Sequence, residues 1–404
     1  MLAQLAAQPA QALGVSAGWY LIPTFRLTES YDDNIFGTST NRTSDFITRF
    51  TPGLQTGYRS EPLTVLLSGN FESDVFAKNP DLNDAVSAWH VGMSSQYLPI
   101  RPLRLNFGVD YTETESLPTL TQNLASLNLA NPLNPANTVQ TGRQKTTLLS
   151  VTPNATYQFT PLTSGTAAFS YTDSTFQQGA TNTVYTGQLA VSHQFTQRDT
   201  GTLTYIVSSF QSNGQSFQTG GTTGPTSELS NTVTIGWAHQ FSPRTTISLA
   251  GGPRFSEGSV SPAVNALATH QFRLFDWPAN ASLGYTYSQG FIIGEPGSVN
   301  TQSVTGSVGV QPLRALQVGL GTGWSKFTGT NTNTTSSAVQ DTTTYSISLT
   351  ASYQILRWLS ALASYSFSYQ EQNGNSSSTS TTGNIPHNVV TFGIEVAYPV
   401  RVDQ

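Results

Sequence analysis

The sequence predicts an all-β protein: a closed antiparallel transmembrane β-barrel of about 18 strands in up-and-down order. Three observations predict it. Apolar and polar residues alternate in twos from about residue 19 to about residue 400. Short turns and longer polar connections follow each other along the chain. Only 10% of residues are charged, against the ~25% usual in soluble domains, and neutral hydroxyl and amide side chains supply the missing polarity.

The alternation is plain in LTVLLSGNFESDVF. Leu63, Val65, Leu67, Phe71 and Val75 share one face, and Thr64, Ser68, Asn70, Glu72 and Asp74 share the other, with Leu66 the exception. LRLNFGVDYT from Leu103 and YSISLTASYQI from Tyr345 repeat the pattern. Eight short turns punctuate it, at 60–62, 99–102, 160–163, 197–199, 242–245, 275–278, 312–315 and 356–359. Most hold Pro or Arg, residues suited to turns and edges. Between them run polar connections such as GTSTNRTS, QSNGQSFQTGGTTGPTSE and EQNGNSSSTSTTGNIPHN. Short turns on one side and long loops on the other describe an outer-membrane barrel, with both ends on the periplasmic side.

Aromatic spacing agrees. Trp19 and Tyr31 bracket the first strand, and Phe46 and Tyr58 bracket the second. At ~3.3 Å per residue and ~40° tilt, twelve residues climb roughly 30 Å, close to an apolar band with its aromatic girdles. Residues 1–17 read as a flexible lead-in or the remnant of a signal, and 18–404 as one barrel.

Composition excludes several functions. A formal net charge of -5 leaves no basic patch for nucleic acid. The absence of Cys rules out disulfides and thiolate metal sites. No G-x-S-x-G elbow or H-E-x-x-H motif occurs. Of the five His, parity turns His193, His239 and His270 outward near the periplasmic interface, places His387 by the last loop, and turns only His90 inward. The protein is therefore expected not to be an enzyme. A soluble adhesin or lectin-like β protein is a further alternative, opposed by paired aromatic girdles.

The apolar face must meet lipid, because hydrocarbon offers polar groups no partner. Parity then places Arg26, Arg49, Glu72, Asp74, His90, Arg104, Asp110, Arg254, Arg273 and Glu395 on the lumen face. Most lie on the last strand and the first five, which adjoin once the barrel closes. The remaining wall offers Ser170, Gln188, Ser192, Thr232, Thr234, Ser346 and similar neutral groups. Mixed charges predict weak ion selectivity, and a hydroxyl wall suits hydrated uncharged solutes such as sugars. Equally, any water-filled lumen is polar, and Ser and Thr build one simply.

In YDDNIF, Asp32, Asp33 and Asn34 end the first strand. They can initiate a turn by accepting backbone N–H groups. They can hold a divalent cation at the rim through oxygen ligands, shared with lipopolysaccharide phosphates. They can also touch solute at the mouth. Apart from that cation no cofactor is expected. The loop 116–141 either folds inward to narrow the pore or caps the surface.

GWYLIPTFRLTESYDDNIFGT followed by SDFITRFTPGLQTGYRS resembles the first hairpin of the outer-membrane beta-barrel porin type 2 family. GPRF at 252–255 and GEPGSVNTQSVTGSV at 294–308 resemble later landmarks of that family. The last strand, TFGIEVAYPV, is similar to the signal read by the barrel-assembly machinery, although RVDQ follows where such chains usually stop. The resemblance implies a porin-like channel of the bacterial outer membrane. Some family members are associated with exopolysaccharide systems, which implies an alternative as a polysaccharide-export component with periplasmic partners. A structural barrel without open-pore activity is the other alternative.

Overall fold

A computed structural model describes residues 18–115, 145–177, 181–215, 222–256, 259–291, 298–329, 341–373 and 384–401. Residues 1–17 and the loop 116–141 lie outside the described residues.

The strands run β1 (Gly18–Asp32), β2 (Asp45–Arg59), β3 (Leu63–Phe76), β4 (Asp84–Ile100), β5 (Leu103–Thr114), β6 (Thr146–Val151) and β7 (Asn154–Thr160). They continue as β8 (Thr163–Phe176), β9 (Thr181–Gln194), β10 (Asp199–Gln215), β11 (Thr222–Ser242), β12 (Thr245–Ser256) and β13 (Ser259–Leu274). The ring is completed by β14 (Trp277–Phe291), β15 (Ser298–Leu313), β16 (Leu316–Gly329), β17 (Asp341–Leu356), β18 (Leu359–Asn373), β19 (Ile385–Ala397) and the short β20 (Val400–Arg401). One 3-10 turn, Pro80–Leu82, interrupts the loop after β3.

Each strand pairs antiparallel with its sequence neighbours, and β1 also pairs with β19, so the sheet closes. β6 and β7 occupy one position between β5 and β8, and β20 prolongs β19 along β1. The ring therefore has 18 staves. The gap within the sixth stave is Pro153, which has no N–H to give. Its neighbour Thr152 keeps the ladder, donating to the Gly108 carbonyl at 2.8 Å and accepting from the Gly108 amide at 3.2 Å.

All eight short turns fall between strands of the inward end, where the sequence places them. One is unusual. Phe275 and Asp276 both have positive φ, 49° and 68°, as a two-residue hairpin of the primed type requires. Asn-Gly is the usual choice there, so the backbone of Phe275 is strained, and its ring stays outside, against Trp277 at 6.1 Å.

Burial shows which face is inside. A single sheet has no second layer, so only its concave side can bury a side chain. The buried set is largely polar and includes Asp74, Ser170, Asn182, Thr186, Arg254, Thr301, Ser346 and Gln370. The large apolar side chains are exposed, among them Phe71, Leu189, Leu203, Ile235 and Phe392. This inverted polarity belongs to a barrel with hydrocarbon outside and water inside. Aromatic pairs mark both edges of the band. Trp19 meets Tyr58 at 5.2 Å at the inward edge, and Tyr31 meets Phe46 at 5.1 Å at the outward edge. The chain is built for the bacterial outer membrane.

One predicted connection differs. Most of 211–228 is paired strand: Gln211 opposes Ser227 and Gln215 opposes Thr222, with a register shift between Ser212 and Gly214. Beyond the lipid both faces of a hairpin meet water, so the sequence there loses its alternation while the backbone stays paired.

Candidate functional site

The lumen is built from the polar residues of each strand. Its charged wall spans β19 and β1 to β5. Arg26 on β1 crosses to Glu395 on β19, with Nη2 and Nε donating to Oε2 at 2.6 and 2.9 Å. Arg49 on β2 forks onto Asp74 on β3, Nε to Oδ1 at 2.7 Å and Nη2 to Oδ2 at 3.0 Å. Its Nη1 also lies 3.3 Å from Glu72. This bidentate geometry is the strongest form of the ion pair. His90 Nε2 lies 3.4 Å from Asp110. Arg104, exposed, forms no ion pair among the described residues. Arg254 is buried on the far wall, within Coulombic reach of Glu228. Arg273 lies exposed near the inward end.

Because these charges are mostly matched, the wall has little net field. The opposite wall is joined by hydroxyls. Thr156 meets Thr166 at 3.2 Å, Ser192 meets Thr202 at 2.9 Å, and Ser282 meets Ser307 at 2.7 Å. These pairs cross from stave to stave and present neutral donors and acceptors to whatever passes.

The lumen is not uniform along its length. At the inward end Arg104, Gln158, Gln240 and Gln354 are exposed, although Tyr20 and Ile22 of β1 are buried there. Toward the outward end Asp74, Thr342 and Gln370 are buried. Three phenylalanines stand toward the outward end. Phe76, Phe210 and Phe327 occupy lumen positions yet are only 4%, 1% and 1% exposed. They sit on the third, ninth and fifteenth staves, dividing the ring of 18 into equal thirds. Each lies eleven to thirteen residues beyond the start of its strand, hence at one level. An isolated Phe near a strand end reads in sequence as part of the girdle, so this collar was not predicted. Nor was Asp45, whose buried carboxylate accepts from the amides of Phe46, Lys78 and Asn79 and from Asn79 Nδ2 at 2.7–2.9 Å, fixing the next loop.

Asp32 and Asp33 lie at the seam between first and last staves. Asp32 Oδ1 accepts from His387 Nε2 at 2.7 Å and from the Asn34 amide at 2.8 Å. Asp33 receives the backbone N–H and Nδ2 of Asn388, each at 2.7 Å. Ser30 and Thr391 meet at 2.9 Å just below. Asn34 turns away, with Nδ2 donating to the carbonyls of Thr38 and Pro386 at 2.8 and 3.2 Å. The side chain that joins the two carboxylates is instead His387, and ligand atoms of the three lie within 4.8 Å of one another. An ion there would have to displace the seam's own hydrogen bonds. His387 and Asn388 are 355 residues from Asp32 and Asp33, beyond the reach of any local motif.

His193, His239 and His270 lie on the exterior at the inward edge, beside Phe195, Phe241 and Phe272. His90 meets Asp110 and makes no hydrogen bond to a serine among the described residues.

No protein-family model matches the sequence, and no curated protein does. Solved structures share the barrel at very low identity. OpdQ of Pseudomonas aeruginosa is 9% identical over 95% of this chain and 99% of that chain, with a TM-score of 0.48. The siderophore receptor PirA of Pseudomonas aeruginosa is 6% identical over 95% and 81%, with a TM-score of 0.47. The FrpB iron transporter of Neisseria meningitidis is 8% identical over 97% and 83%, with a TM-score of 0.48. Likeness at this level bears on no solute or partner.

Proposed function

We propose that this barrel is a porin-like channel for hydrophilic, uncharged solutes, saccharides among them. The observation that carries the reading is the division of the lumen. Arginines and carboxylates are matched along one wall, and cross-linked hydroxyls line the other. A hydrated sugar exchanges water hydrogen bonds for protein ones at little net cost on such a surface. A permeating ion finds no ring of one sign to select it. The resemblance of the first hairpin to the porin type 2 family supports the same reading.

A second reading is favoured by the buried outward end of the lumen. A mouth packed at rest suits a dedicated exit for exopolysaccharide, working with periplasmic export proteins, or a barrel without open-pore activity. In each case lipopolysaccharide outside and the barrel-assembly machinery during biogenesis are the expected partners, and catalysis is not part of the proposal.

Planar-bilayer recording with liposome swelling tests this. The channel reading expects measurable conductance, a reversal potential near zero in a salt gradient, and swelling in a neutral disaccharide. Electrical silence together with no swelling would remove it and leave the second reading. Strong selectivity for one ion sign would contradict the matched wall.

A further inference from the structure

The exterior carries a groove that a lipid-facing sheet does not require. Pro153, Ala155, Ala167 and Gly187 form a floor of small residues on three neighbouring staves. Phe107 and Leu189 stand as walls, the latter 60% exposed. The groove is an open hollow of about 590 Å³. Its lining is almost wholly apolar.

Directly below the groove, on the same face of β9, His193 lies four residues from Leu189, about 13 Å along the strand. Thr163 on β8 meets His193 Nδ1 at 2.8 Å. If that hydroxyl donates, the ring proton sits on Nε2 and is available to an acceptor. Arg198 stands exposed in the turn after β9, and Arg101 in the β4–β5 turn three staves away, about 14 Å across the strands; neither forms an ion pair among the described residues. The sequence repeats this arrangement. His-Gln-Phe occurs at 193–195, 239–241 and 270–272, always at the inward end. Each histidine reaches the first residue of a neighbouring strand, Thr163, Asp199 or Thr245. At His239 the partner is the Asp199 carboxylate, whose Oδ1 takes His239 Nδ1 and Trp237 Nε1. At His193 it is neutral.

We propose that the groove and the His193 arc together bind one inner-leaflet anionic phospholipid. The headgroup phosphate meets His193 and Arg198, Arg101 adds its charge from the β4–β5 turn, and one acyl chain lies over Pro153, Ala155, Ala167 and Gly187. Charge complementarity selects the headgroup, and the apolar groove just above it selects a chain over a free anion. The membrane position agrees, since the short-turn end of such a barrel faces the periplasm and its edge meets inner-leaflet headgroups.

Native mass spectrometry of the full chain in zwitterionic detergent tests this, with phosphatidylglycerol, phosphatidylcholine or inorganic phosphate added. Folding of every variant is first checked by heat-modifiable gel mobility. The expected result is one tightly retained phosphatidylglycerol, preferred over phosphatidylcholine and not displaced by phosphate. Each interfacial arginine removed should weaken retention about five-fold, so R101Q/R198Q should lose roughly 25-fold. Ala167→Phe, which fills the groove on a face that tolerates apolar bulk, should also reduce retention. R314Q/R357Q, on distant inward turns, should leave it unchanged. Equal losses in both arginine pairs would mean diffuse charge attraction and overturn the site. Retention unaffected by Ala167→Phe, or phosphate competing fully with the lipid, would overturn the groove's part in it.

Discussion

Replacing Arg49 by Met gives the sharpest test of the charged wall. The guanidinium holds two carboxylates, Asp74 through two hydrogen bonds at 2.7 and 3.0 Å and Glu72 at 3.3 Å. The Asp74 side chain is 2% exposed, so its charge cannot turn to water when the partner leaves. Breaking a buried pair by removing one member costs about 3–5 kcal/mol. Glu72 keeps access to the lumen, which places the expected loss for R49M near the lower bound, about 3 kcal/mol. Asp74→Asn keeps the shape and leaves Arg49 with Glu72, so its cost should be about 1–2 kcal/mol. In R49M/D74N the buried charge is gone as well as its partner. The loss should then fall short of the sum by about 1.5–3 kcal/mol, the worth of a hydrogen bond to a charged group. Denaturant unfolding of the liposome-reconstituted barrel measures all four states. Reversal potential supplies a second readout, because R49M uncovers negative charge and should shift the pore toward cations, and D74N should shift it back. Additivity of the single variants within ~0.5 kcal/mol, or an unmoved reversal potential in R49M, would refute the paired-wall account.

Further variants follow from the same structure. Phe210→Ala should cost about 3–5 kcal/mol and raise conductance if the buried collar narrows the mouth; unfolding and single-channel recording check it. Ile235, 72% exposed to lipid, should cost about 2–4 kcal/mol as Arg near mid-bilayer, whereas Thr234→Arg on the lumen side should cost far less. Asp33→Ala removes both hydrogen bonds from Asn388 and should destabilise by about 1–2 kcal/mol, read as a lower temperature for the gel-mobility shift. Chelator should leave that temperature unchanged in the parent protein, since hydrogen bonds already engage Asp32, Asp33 and His387; a drop that D32A/D33A abolishes would restore the rim cation.

The alternating residues made the barrel legible because hydrocarbon enforces polarity at every second position. Turns rich in Pro and Arg were legible for the same reason: they mark where enforcement stops. The lumen face of Arg49, Asp74 and Glu395 follows from parity alone. Who pairs with whom across staves does not, and Asp32 and Asp33 show the limit of a local reading. Two carboxylates and an Asn look like a turn, and Asp32 does take the Asn34 amide, but His387 and Asn388 arrive only with the final strand. The hairpin around Ser212 was hidden differently. Past the lipid no face is apolar, so a paired strand and a loop have the same composition. Phe76, Phe210 and Phe327 break the polar parity singly, and only the closed ring brings them to one level.

The seam has a consequence for assembly. Arg26 waits for Glu395, 369 positions later, so the cylinder cannot shut until nearly all of the chain has been delivered. Until then two bare margins carry rows of unanswered amides and carbonyls, which a fatty interior will not accept. Insertion must therefore shelter both margins or hold them back to the final moment. A product cut short before Ile385 would have no mate for its opening strand and would be left permanently ajar.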